Sequence, residues 1–283
     1  MPSLRDIRRR IKSVQNTQKI TRAMELVAAA KMRKAVERLE ASRPYSDAMQ
    51  ELAADLMRRP LEYRHPWVAE KDAPGRVIIL VTTDRGLVGP LNANNVRRMV
   101  RTIADSDQET RVITIGRKGR DAVRRLGLNL VAEVSHLGYT PTVVDIAPVV
   151  RVALEEFGKG DVSELNLVFS KFVNVGRQEA VVSRLLPFQS REDLPRLPAD
   201  FTYEPDPRVV LDALLPRYVE AQVYRGLLEN IASAQAAQMV SMRNASDNAG
   251  DLIEDLTLTA NTVRQDSITA ELMDIVGGVA AQQ

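Results

Sequence analysis

The chain holds two histidines and no cysteine. Thiolate metal sites, cysteine nucleophiles and disulfides are therefore excluded. His65 and His136 have no second nitrogen or carboxylate at the spacing of a metal-ligand pair, so both read as structural residues. No Ser/His/Asp arrangement can be assembled. One stretch has the form of a phosphate loop. Asp84-Arg85-Gly86-Leu87-Val88-Gly89-Pro90-Leu91-Asn92 follows an apolar run and precedes a helical pattern, the place where backbone N–H groups cradle phosphate in nucleotide-binding folds. It lacks the Lys-Ser/Thr ending of a P-loop and the three-glycine dinucleotide fingerprint, which favours a plain strand-to-helix turn. Gly116-Arg117-Lys118-Gly119 is a weaker version of the same pattern. The remaining chemistry is charge. Arg5, Arg8, Arg9, Arg10 and Lys12 could meet nucleic acid or an acidic protein. Residues 1–44 contain no aromatic side chain to stack on bases, and this favours the protein.

Those residues sit on an unusual set of elements. Ser3 and Asp6 predict a helix cap, followed by an apolar stride at Leu4, Ile7, Ile11 and Val14 that resumes at Met24, Ala28, Met32, Ala35 and Leu39. Pro44 predicts the end of this helix near residue 42, with a shorter helix closing before Pro60. Residues 60–75 read as loop. Residues 76–190 alternate strands and helices: strands at 76–83, 112–115, 165–173 and 180–186, the last two as a hairpin, and helices near 94–104, 118–126 and 143–157. This is a small α/β domain. A proline-rich linker, 187–206, leads to Asp206-Pro207, a good helix start. Pro216 predicts a kink or restart.

From Arg217 to Val276 there is no proline, and only Gly226 and Gly250 interrupt the helix-formers. Gly277-Gly278 predict the stop. Such a helix is about 90 Å long, too long to bury in its own domain, so it must protrude toward a partner. Its stride at Met242, Ala245, Ala249, Leu252, Leu256, Ala260 and Val263 predicts a coiled-coil seam. The first helix is the natural antiparallel mate. Residues 1–43 hold twelve Lys/Arg against four Asp/Glu, whereas residues 217–283 hold four against nine. The longer helix outreaches its mate by roughly 18 residues of the predicted pattern, so one tip stands alone. Aromatic residues make up only 4% of the chain, consistent with much helix and little globular core. No run of apolar residues is long enough to span a bilayer. The predicted divisions are 1–59, the N-terminal helices; 76–190, the α/β domain; and 207–283, the long C-terminal helix.

At this point the residues acquire a family. IKSVQNTQKITRAMELVAAAKMRKA (Ile11–Ala35) resembles the N-terminal helix of the gamma subunit of bacterial-type F-type ATP synthases. ASRPY (Ala41–Tyr45), TDRGLVGPLN (Thr83–Asn92), YEPDP (Tyr203–Pro207) and ITAELMDIVGG (Ile268–Gly278) resemble further blocks of it, in order, over essentially the whole chain. Two departures are Gly89-Pro90, commonly Gly-Gly in the family, and Gly278-Val279, usually Gly-Ala. The paired-cysteine insert of chloroplast members is absent.

The resemblance implies a fold of two long terminal helices in an antiparallel coiled coil, with a Rossmann-like α/β domain inserted between them. It implies a non-catalytic rotor shaft that carries no cofactor. The shaft would couple proton-driven rotation of the c ring to conformational change in catalytic β subunits during ATP synthesis or hydrolysis. Implied partners are three α and three β subunits, epsilon, delta and the c-subunit ring, with no nucleic acid and no membrane insertion. The implied location is the cytoplasmic face of the bacterial plasma membrane, as a peripheral protein. By the same resemblance Arg264, Gln265 and Thr269 would meet catch loops of the catalytic subunits. Met24, with Arg9 and Lys31, would lie near acidic loops of β. Tyr203, Glu204 and Asp206 would belong to the foot, near epsilon and the c ring. The competing reading is a nucleic-acid-binding coiled coil that uses the basic first helix.

Overall fold

The computed structural model describes residues 3–58, 65–188, 203–204 and 206–280. Its elements in chain order are α1 (Leu4–Arg58), β1 (Gly75–Val81), α2 (Leu91–Ala104), β2 (Glu109–Ile115), α3 (Arg117–Arg125), β3 (Asn129–Val134), α4 (Val143–Gly158), β4 (Val162–Asn174), β5 (Arg177–Leu186) and α5 (Pro207–Ala280). They divide into two compact units, Met1–Ala28 with Met239–Gln283, and Ala29–Gln238. The terminal helices α1 and α5 contribute a segment to each.

The first unit is a helix pair. Ser3 caps α1, its Oγ accepting from the Asp6 N–H at 3.2 Å and donating to Asp6 Oδ2 at 2.7 Å. The side chains of α1 that turn inward are Leu4, Ile7, Ile11, Val14, Gln18, Thr21, Glu25 and Ala28, a strict alternation of three and four. The stride therefore does not lapse after Val14; polar side chains carry it. The facing row on α5 is Met242, Ser246, Ala249, Ile253, Leu256, Ala260 and Val263. Ser246 and Ile253 take the places expected for Ala245 and Leu252, and Leu252 is 40% exposed. With them the spacing becomes a regular four-three alternation, the period that keeps a seam on one face of a supercoiled helix. The pair is antiparallel: Gln18 Nε2 donates to the Ser246 carbonyl at 3.3 Å, and Arg243 Nε donates to Glu25 Oε1 at 2.9 Å.

The second unit is built on a five-stranded sheet of order β3-β2-β1-β4-β5. The first four strands are parallel, and β5 returns antiparallel as a hairpin from β4. Every residue of β1 is buried, as expected of a central parallel strand covered on both faces. Ile78 and Leu80 face one side and pack with Met99 of α2 and Val123 of α3. Val77, Ile79 and Val81 face the other, against Ile146, Val150, Ala153 and Phe157 of α4, Ala53 and Leu56 of α1, and Leu211, Leu215 and Val219 of α5. A capping box starts α4: the Thr142 N–H donates to Asp145 Oδ2 at 2.7 Å. That N–H, ahead of the Thr142 hydroxyl, holds the Asp145 carboxyl below its ordinary range.

Four expectations are corrected. Pro44 does not end α1, which runs unbroken to Arg58. Pro44 and Glu40, whose carbonyl loses its intrahelical donor, are both exposed, so water satisfies that carbonyl. Pro216 likewise lies inside α5, and Gly277-Gly278 do not stop it, since the helix reaches Ala280. Strand β3 was absent from the expected set; it is a short edge strand, half exposed and bearing Glu133, a charged edge that discourages further pairing. Asp206 does start α5, its Oδ1 accepting the Arg208 N–H at 2.7 Å. Most of the expected 187–206 linker falls outside the described residues.

Candidate functional site

In doubly wound sheets, ligands bind outside the carboxyl ends of the strands, where the strand order reverses. Here that reversal lies between β1 and β4, with β2 and β3 on one side and β4 and β5 on the other. The crevice is filled by α5. Asn230 Oδ1 accepts from Asn95 Nδ2 at 3.1 Å. Asn95 Nδ2 also donates to the carbonyl of Val81, the last residue of β1, at 3.0 Å, and Ser170 Oγ of β4 donates to Asn95 Oδ1 at 2.7 Å. Ser233 Oγ donates to the Ser170 carbonyl at 3.1 Å. All four side chains are buried. One turn further along, Ala234 and Ala237 pack on Val88 and Leu91 of the glycine loop. Gly226 lets the helix lie close on β4, for a Cβ there would stand 2.7 Å from Leu167 Cδ2.

The glycine loop is occupied by its own polar groups. Asp84 accepts the Arg117 N–H at the start of α3 (3.0 Å) and the His136 N–H (2.9 Å). An internal carboxylate thus takes the N-terminus of α3, the helix that follows Gly116. Asn92 Oδ1 accepts the Thr83 N–H at 3.0 Å and its Nδ2 donates to Thr83 Oγ1 at 2.7 Å. Gly116 has φ +99° and a Cβ there would sit 2.3 Å from the Thr82 carbonyl oxygen. The Gly116–Gly119 pattern therefore serves close backbone packing. His65 is buried, its Nε2 3.2 Å from Asp212 Oδ1 and its Nδ1 accepting the Trp67 N–H at 3.0 Å. Burial lowers its pKa, opposed by Asp212. Among the described residues no cluster of three or more His, Asp or Glu side chains could hold a metal ion.

The residues implied by resemblance fall into two groups. In the helix-pair unit, Arg264, Gln265 and Thr269 lie on α5 beyond Val263, the end of the seam, where every residue from 264 to 273 is exposed. Thr269 Oγ1 donates back to the Gln265 backbone carbonyl at 3.0 Å, and Gln265 is exposed. Arg9 is exposed and 4.0 Å from Asp6; Met24 is half-buried beside the seam. In the other unit, Lys31 stands over the Tyr139 ring, 3.8 Å from its centroid, a cation–π contact that holds it against the α/β domain. Tyr203 donates to Asp55 Oδ2 at 3.0 Å and packs against the core. Glu204 is exposed, and Asp206 is committed to the α5 cap. The sequence reading missed Glu25, Arg243, Asn95, Ser170 and Asn230. Their residue types did not mark them: Glu25, a polar side chain, holds the seam position expected for Met24.

The family model described as ATP synthase matches residues 3–282. The ATP synthase gamma chain of Legionella pneumophila strain Corby is 45% identical over 287 aligned residues, covering 99% of this chain and 100% of the relative. The strain Paris protein of the same name matches equally, at 45% over the same coverage. Among solved structures, a chain of the Euglena gracilis mitochondrial ATP synthase (OSCP, F1 and c-ring) superposes with a TM-score of 0.71 at 17% identity, covering 99% of this chain and 94% of that one. A chain of the Tetrahymena thermophila mitochondrial ATP synthase central stalk and c-ring gives a TM-score of 0.62 at 23% identity, covering 80% of this chain and 99% of that one. These structural likenesses share the fold of paired terminal helices around an α/β sheet. With a family model spanning nearly every residue and relatives matched end to end, the chain belongs to the family of ATP synthase gamma chains.

Proposed function

We propose that the chain is the central shaft of an ATP synthase and does no chemistry itself. It couples proton-driven turning of a c ring to conformational change in catalytic β subunits. The observation that carries this reading is the bare end of α5: ten consecutive helical residues, 264–273, all exposed beyond the seam. A helix with neither a mate nor a core needs a surrounding sleeve, and a ring of three α and three β subunits provides one. A shaft needs torsional strength, which two wound helices supply better than one. It also needs asymmetry, since a two-helix cross-section cannot present the same face to three sites at once and so holds them in different states. Arg264, Gln265 and Thr269 would engage the catch loops. Arg9, Met24 and Lys31 would lie toward acidic loops of β, where attraction between opposite charges is long-ranged and readily broken. Lys31 is the least available of these because it already stands over Tyr139.

The α/β domain is the foot, with Tyr203, Glu204 and Asp206 on the side of epsilon and the c ring, and delta elsewhere in the complex. The position is peripheral, on the cytoplasmic face of a bacterial plasma membrane. Mixing the purified chain with α and β subunits tests this reading. We expect a stoichiometric complex that hydrolyses ATP, while the chain alone turns over none. Turnover by the chain alone, or failure to join the α and β subunits, would refute it. The basic first helix gives no comparable support to a nucleic-acid role.

A further inference from the structure

The outer layer formed by α2 and α3 is strongly basic. These two helices carry eight Lys/Arg and one acid, Asp121, a balance of +7 in a chain whose total is +2, so the rest of the molecule sums to −5. Asp121 is spent on Arg120, at 2.9 Å, and Glu133 of β3 pairs with Arg120 and Arg124 at 3.3 and 3.0 Å. Arg97, Arg98 and Arg101 on α2 and Arg117, Lys118 and Arg125 on α3 are exposed, and among the described residues none of them makes an ion pair. The nearest acids in sequence, Asp105 and Asp107, lie past the end of α2. Both helices bury their apolar stripe on the same face of the sheet, so their outer sides form one surface. Two apolar side chains stand exposed beside the cations, Val100 at 39% and Leu126 at 50%.

An ordinary solvated surface mixes both signs of charge; this one is strongly biased, with eight cations on the two helices and its acids limited to Asp121 on α3 and Asp84, Asp105 and Glu133 at the edges. We infer that the α2–α3 layer is a docking surface for an anionic phospholipid membrane. Three features favour lipid over nucleic acid. The surface is a two-helix layer without a groove to track a strand. Neither helix carries an aromatic side chain for base stacking. Exposed Val100 and Leu126 among arginines match the boundary between headgroups and acyl chains. The contact is adsorption, because no described helix is long and apolar enough to cross a bilayer. This inference does not require that the chain rotate.

The test is sedimentation of the full chain with vesicles of phosphatidylcholine alone and of equimolar phosphatidylcholine and phosphatidylglycerol. Each cation near an anionic surface contributes a roughly fivefold gain in partition, so the triple variant Arg97→Gln, Arg101→Gln, Arg125→Gln should bind the anionic vesicles on the order of a hundredfold more weakly. These side chains are exposed, so the variant should keep the circular dichroism and melting temperature of the parent. A control, Arg5→Gln, Arg8→Gln, Arg10→Gln, removes the same charge from α1 and should leave binding unchanged. The inference is overturned if phosphatidylglycerol does not promote binding, if the α1 control loses binding as much as the α2–α3 variant, or if duplex DNA binds the chain while anionic vesicles do not.

Discussion

Arg243 Nε donates to Glu25 Oε1 at 2.9 Å across the helix pair, and the two partners differ sharply in exposure: the Glu25 side chain is 7% exposed and that of Arg243 57%. Arg22 adds a second bond to Glu25 at 3.1 Å from a side chain 62% exposed. The carboxylate has been drawn into the seam while its cations remain in water. Removing a buried charge whose partners are solvated should be stabilising or neutral, whereas removing Arg243 leaves the buried carboxylate with Arg22 alone. Glu25→Leu should therefore raise the melting temperature of the chain or leave it unchanged. Arg243→Leu should lower stability by about 1–3 kcal/mol. Thermal unfolding of both variants checks the sign, and a lower melting temperature for Glu25→Leu would mean that the ion pair is a net stabiliser.

Glu25 also shows how far the sequence could be read. The ends of the α1 seam were legible because Leu, Ile and Val stand at three-four spacing. Its middle was not, because Gln18, Thr21 and Glu25 are polar, and a polar seam position cannot be told from a solvated one without its partner. The same difficulty moved the α5 register by one residue: Ala245 is more apolar than Ser246, yet Ser246 is the buried one, at 5% exposure. Pro44 misled because a proline inside a helix can be accommodated where the freed carbonyl faces solvent, and Pro44 and Glu40 are both exposed. The α/β domain was legible through runs such as Val77–Val81. The crevice at its switch point could be anticipated, but its occupant could not, since Asn95 and Asn230 are 135 residues apart.

That crevice gives a second prediction. Asn95, Ser170 and Asn230 share a buried network in which each member satisfies another. Asn95→Ala leaves the Ser170 hydroxyl and the Val81 carbonyl without their partner, at a cost of about 2–3 kcal/mol. Asn230→Ala should cost a similar amount. The double variant should lose less than the sum, because both changes break the same contact. Urea unfolding of the single and double variants measures this, and strict additivity would mean that the two side chains act independently.

Acid should loosen the α/β unit through Arg111. This side chain bonds Glu156 Oε2 at 2.7 Å and Asp161 Oδ2 at 2.6 Å. Lys159, then Arg111, hold the Glu156 carboxyl below its ordinary range, and Arg111 does the same for Asp161. Carboxyls whose folded values lie below their unfolded ones contribute stability that is present above the unfolded values. It is lost as the pH falls through the folded ones. Arg111→Gln should therefore lower the urea midpoint at neutral pH and make the acid-side loss shallower. A variant with an unchanged acid slope would show that Arg111 does not set these titrations.

The bare end of α5 gives a fourth prediction. Val263 is the last seam position among the described residues, so deleting residues 264–283 removes none of the described seam. The shortened chain should melt within about 0.5 kcal/mol of the full one, as expected for changes away from packed features. In a complex with α and β subunits it should nonetheless reduce the mechanical work obtained per ATP. An unchanged coupling ratio would remove Arg264, Gln265 and Thr269 from the torque path.

Rotation itself is the most direct test of the shaft. The ring of α and β subunits is fixed to a surface, a bead is attached to the α/β domain of this chain, and ATP is added. The account predicts that the bead turns continuously in one direction while ATP is hydrolysed. Full-rate hydrolysis with a stationary bead would contradict it.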